Sequence, residues 1–85
     1  MTTIAAPKPS QRTAPPKRWR NVYWLAKRID LAESPGHAAG SYGPGRFISR
    51  LIWPSREIAE AKGVESVRRA RDRAHITYLG PEEAP

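Results

Sequence analysis

Apolar and polar residues alternate from Trp19 onward. Trp19, Tyr23, Leu25, Ile29 and Leu31 share one face at period two, and Arg20, Val22, Trp24, Ala26 and Arg28 share the other. A helical reading also runs through Trp19, Val22, Tyr23, Ala26 and Ile29, but the Val22-Tyr23-Trp24 run favours a strand. A second alternation, from Phe47 to Trp53, sets Phe47, Ser49, Leu51 and Trp53 against Ile48, Arg50 and Ile52. It predicts a strand with one apolar face, paired with the first. Between the two, residues 32–46 (AESPGHAAGSYGPGR) are dense in Gly and Pro and predict a long loop without regular structure.

The period changes after Pro54. Ser55 is placed to cap a helix that starts at Arg56, with Glu57 and Glu60 near its positive end, and the pattern carries the helix to about Arg73. Its apolar residues Ile58, Ala61, Val64, Val67 and Ala70 repeat every three residues, so the stripe winds around the axis. Gly63 costs roughly 1 kcal/mol against Ala in a helix interior and predicts a bend or one irregular turn. Glu65 with Arg69 and Arg68 with Asp72 are i,i+4 pairs. Ile76 to Leu79 reads as a short third strand ended by Gly80-Pro81, leaving Glu82 and Glu83 in a solvated acidic tail. The order is β-β-α-β. A right-handed crossover through the helix lays the third strand parallel to the second. The expected fold class is therefore α+β: a three-stranded antiparallel sheet of order 2-1-3, one helix on one face, the other face open.

Composition adds an N-terminal arm. Residues 1–17 hold four prolines and only Ile4 as a large apolar residue, too little burial to offset ordering, so an extended, disordered basic arm is expected. The predicted organisation is arm 1–17, domain 18–80 and acidic tail 81–85. No apolar h-region marks a secretory signal, and no apolar run reaches the length of a membrane span. The chain has no cysteine, which fits a reducing cytoplasm. A domain of about 60 residues buries only about 60% of its chain surface, so a homodimer or docking on a larger partner would add needed stability.

Charge sharpens the picture. Of the 15 basic residues, the seven within residues 1–28 meet no Asp or Glu, whereas those of residues 29–85 are balanced by the eight acidic residues. The net charge of +7 is thus concentrated at one end, interleaved with Trp19, Tyr23 and Trp24. Cations neutralise phosphates and aromatic rings stack on bases, so the pattern points to nucleic acid, DNA or RNA. Trp19 and Tyr23 are expected in the core. Trp24, sharing its face with Arg20 and Arg28, is the stacking candidate. The expected binding residues are Lys17, Arg18, Arg20, Trp24, Lys27, Arg28, Arg46 and Arg50.

Other motifs carry less. Gly40-Ser41-Tyr42-Gly43 matches the GXXG of KH domains but joins two strands where that motif joins helices. The stretch from Ser55 to Ala70 resembles the opening of a helix-turn-helix, but Lys62 stands at an apolar position and the turn is about two residues short. Arg68, Arg69, Arg71 and Arg73 suit a helix C-terminus. His37 and His75 have no partners at ligand spacing, so no catalytic role, metal or cofactor is expected.

Trp53-Pro54-Ser55-Arg56-Glu57-Ile58-Ala59-Glu60, taken with Tyr78-Leu79-Gly80, resembles small uncharacterised proteins of bacteriophages and prophages. The resemblance spans roughly residues 19–80 and implies a viral, bacterial-host context and the β-β-α-β order, without bringing an activity. Two functions are expected: a basic accessory protein that binds nucleic acid, or an inhibitor or adaptor of anti-CRISPR or anti-restriction type that docks on a host protein or nucleoprotein complex.

Overall fold

The computed structural model describes residues 16–85. The arm predicted over residues 1–17 lies outside them except for Pro16 and Lys17, both exposed. The fold is α+β, with strands β1 (Trp19–Leu25), β2 (Ile29–Leu31), β3 (Gly40–Tyr42), β4 (Gly45–Ile48) and β5 (Ile76–Glu83) and one helix, α1 (Arg56–Arg69). The main sheet has the order β4-β1-β5 with both pairings antiparallel, which is the expected 2-1-3 arrangement.

The predicted elements are trimmed and one is added. The first apolar segment breaks after Leu25, where the Ala26 N–H donates to the His75 carbonyl at 2.8 Å and the chain turns through exposed Lys27 and Arg28. The segment beyond it, β2, leaves the main sheet and pairs with β3, so the predicted loop contains a strand. Ser41 donates to Asp30 across that pair, and the Tyr42 ring stands edge-on to Phe47 at 4.9 Å, tying the small sheet to the main one. Gly43 allows the close turn between β3 and β4: its φ is +83°, and a Cβ there would stand 2.7 Å from the Lys27 carbonyl oxygen.

The strand predicted over Phe47 to Trp53 ends at Ile48. Ser49 still donates to the Asn21 carbonyl at 3.0 Å, but Arg50 turns to the Gly36 carbonyl, and only Trp53 rejoins the sheet, exchanging backbone hydrogen bonds with Trp19. Its apolar face is broken accordingly: Ser49 is buried and Leu51 is exposed.

Ser55 caps α1 as expected, its hydroxyl accepting from the Ile58 N–H at 3.1 Å. The helix is continuous through Gly63, with no irregular turn and no helix-turn-helix, and Ala70 leaves helical geometry. The Glu65–Arg69 pair forms at 2.9 Å. A short 3-10 turn, Arg73–His75, then leads into β5.

The helix rests on β1 and β5 through its smallest residues. Ala59 and Gly63 are buried, whereas Ile58 and Val64 of the predicted stripe are exposed. Gly63 is there for closeness: a Cβ would overlap the Tyr78 ring. Beneath it lie Tyr23, tilted against Tyr78 at 5.4 Å, and Leu25, 2% exposed. Asn21 sits buried among them. Its Nδ2 donates to the Ala59 carbonyl at 2.8 Å, and its Oδ1 accepts from the Tyr78 hydroxyl at 2.7 Å, so one side chain joins β1, β5 and α1. A buried amide satisfied on both ends fixes how these elements meet.

The third strand is longer than predicted. Val22 pairs with Gly80 and Tyr23 with Tyr78, so Leu79 is an extra residue in a bulge. Gly80, at φ +110°, takes the irregular backbone, and Pro81 is tolerated because β5 is an edge strand. The sheet therefore continues to Glu83, and Glu82 lies on β5 opposite Arg20 instead of in a solvated tail.

Candidate nucleic-acid interface

Strand alternation gives β1 two unlike faces. Asn21, Tyr23 and Leu25 point to α1, leaving Arg20, Val22 and Trp24 on the open side. Register places Arg46 and Thr77 beside Trp24, Ile48 and Gly80 beside Val22, and Glu82 beside Arg20. Arg18 shares the parity of Arg20, and its carbonyl accepts from the Ala84 N–H at 2.7 Å, extending the ladder.

Trp24 is 48% exposed on this face, with nothing of the helix above it. Val22 beside it is only 4% exposed. The charged groups explain the contrast. Arg20 donates to Glu82 Oε1 through Nε at 3.0 Å and Nη2 at 2.5 Å, and Arg46 Nη2 donates to Glu82 Oε2. Because β4 and β5 flank β1 on opposite sides, the Arg46–Glu82 link crosses β1 between Trp24 and Arg20, over Val22. An arginine stem covers apolar surface while its head stays polar, which is how Val22 becomes buried on an open face. Hydrogen bonding from Arg20, with Arg46 alongside, holds the Glu82 carboxyl below its usual range.

The expected binding residues therefore divide. Arg20, Trp24 and Arg46 come together on the open face. Lys17 and Arg18 stand exposed where β1 begins, and Lys27 and Arg28 stand exposed just past its end. Arg50 belongs elsewhere: its guanidinium donates to the Pro35 and Ser34 carbonyls, both at 3.3 Å, fastening the loop before β3. At seven residues β1 spans about 23 Å, so basic pairs bracket a track with a tryptophan within it.

Sequence reasoning missed Glu82 as part of this face, because Gly80-Pro81 reads as a strand terminator. It also missed a cavity of about 190 Å³ on the helix side, lined by Leu25, Leu31, His37, Phe47, Leu51 and Val67 among others. Among the described residues no three His, Asp or Glu side chains gather into a metal-binding group, and no helix is long and apolar enough to cross a membrane. Comparison with protein-family models, with curated proteins and with solved structures finds no match to this chain.

Proposed function

We propose that the open sheet face binds single-stranded nucleic acid without strong sequence preference, as a small accessory protein of a phage or related mobile element. The observation that carries this reading is Trp24: half-exposed, on an uncovered strand, with Arg46 directly across. A base stacks on the indole while adjacent phosphates meet Arg46, Arg20 and the basic pairs at either end of β1. Each stacked base is worth about 1–3 kcal/mol, and no element of the described residues has to move to expose the ring.

Binding of the full chain to a labelled oligo(dT) or oligo(U) of about 12 nucleotides tests the reading. Affinity should fall with salt with a log-log slope of roughly −0.7 per phosphate neutralised. Changing Lys17, Arg18, Arg20, Lys27 and Arg28 together to Gln should abolish binding. If the unchanged protein retains no strand at low salt, the reading fails.

One observation favours a second reading. Ile48, beside Val22 in the register, is exposed together with Trp24, and the two give the face an apolar component suited to docking on a host protein or nucleoprotein complex. In that case Trp24→Ala removes partner capture at high salt and after nuclease treatment, conditions that abolish binding to nucleic acid.

A further inference from the structure

The open face holds a group that works against its proposed ligand. Two guanidiniums, one from the central strand and one from the edge strand β4, converge on the Glu82 carboxylate, one on each oxygen. That is the geometry in which arginines bind a phosphate, which likewise presents two oxygens to flat donor forks. We propose that Glu82 is an intramolecular competitor for phosphate, occupying the seat between Arg20 and Arg46 that a nucleic-acid phosphate takes when a strand binds. This deepens the proposed function and rests on it.

Three observations converge. Glu82 lies directly opposite Arg20 in the register, so the strand pairing itself delivers the carboxylate to the seat. The seat is open to a ligand, with the Glu82 side chain 33% exposed and that of Arg46 50% exposed. And the seat adjoins Trp24, which faces Arg46, so a phosphate held there belongs to a nucleotide whose base can reach the indole. A tethered carboxylate competes at a high effective concentration, of millimolar order. It keeps both arginines ordered in the absence of ligand and leaves the seat with one net positive charge instead of two. A bound strand must displace it, which lowers affinity and makes the face selective for ligands that present several phosphates at once over a lone anion.

Binding of full-length variants to labelled oligo(dT) of about 12 nucleotides at several salt concentrations tests this. Glu82→Gln removes the competing charge at nearly constant shape, and its affinity should rise roughly tenfold at low salt, with the salt slope steeper by about 0.7. Glu83→Gln alters net charge by the same unit on the neighbouring residue, which pairs opposite Trp19, and should change affinity less than about twofold. Glu82→Asp keeps the charge but shortens the reach, freeing Arg46, so its affinity should rise a few-fold with net charge unchanged. Far-UV circular dichroism confirms that each variant is folded, and the Asp variant decides the matter if the Gln variant is not. Equal gains from Glu82→Gln and Glu83→Gln would reduce the effect to net charge and overturn the proposal. So would unchanged or weaker binding by both Glu82 variants while the unaltered protein binds, an outcome that makes Glu82 a strand clamp and leaves the nucleic-acid reading standing. If neither the unaltered protein nor any variant binds, competitor and reading fall together.

Discussion

The two faces of β1 use the same seven-residue strand in opposite ways. On the covered face, Asn21, Tyr23 and Leu25 are buried under a helix that approaches closely because Ala59 and Gly63 are small. On the open face, Arg20, Val22 and Trp24 meet no second layer among the described residues, whose roof there is a bridge of two arginines and one glutamate. Stability is therefore concentrated on one side and chemistry on the other. Substitutions one residue apart should read out as different experiments.

The largest effect is expected at Tyr23. Replacing this buried ring by Ala removes its packing against Tyr78 and Phe47 and should cost about 3–5 kcal/mol. That is enough to unfold a domain of this size, and loss of the cooperative urea transition would show it. Next is Gly63→Ala. Helix propensity alone favours the change by roughly 1 kcal/mol, but overlap with the Tyr78 ring should cost about 1–3 kcal/mol and leave the variant less stable. In a Tyr78→Ala background the same substitution should become neutral or stabilising, and a double-mutant cycle checks the coupling.

Alkaline titration probes the same side. Burial pushes the Tyr78 hydroxyl up to about 12, and burial raises that of Tyr23 as well. The folded state therefore favours the neutral phenols. Their contribution is complete below about pH 10, the ordinary value, and is lost as pH climbs through the raised values. Phenolate absorbance from Tyr78 should appear near pH 12 in the folded protein, and nearer the ordinary value of about 10 once the chain is unfolded in urea.

The open face should respond more weakly. Trp24→Ala should shift stability by no more than about 0.5 kcal/mol while removing about 1–3 kcal/mol of strand affinity. A large loss of stability would mean that Trp24 belongs to the core. The smallest effect is expected at Glu82. Its folded carboxyl titrates below its ordinary range, so its contribution is present above about pH 4 and fades as pH falls through the lowered value. Acid melting curves of the unaltered protein and Glu82→Gln should converge at low pH.

Much of this division could be read from the chain. Period-two alternation separated Tyr23 from Trp24 correctly, Ser55 announced the helix, and the sheet order followed from the crossover. What escaped came from long-range pairing. Gly80-Pro81 has the local chemistry of a strand end, and only an edge position and a bulge let β5 continue to Glu83. Hidden with that extension was the partner of Arg20 and Arg46. The helix misled differently: a three-residue apolar repeat drew attention to Ile58 and Val64, whereas the contact surface is set by where side chains are absent. Asn21, a polar residue at an inward position of the first strand, was the available sign of a buried hydrogen-bonding hub.

The central strand finds one of its neighbours far along the sequence, since Trp19 aligns with Glu83. Chain synthesis delivers these partners more than sixty residues apart, so the sheet cannot close until β5 has left the ribosome. Until then the edge of β1 that awaits β5 stays unpaired, and a nascent chain stalled short of Gly80 presents an adhesive, half-finished sheet to whatever lies nearby.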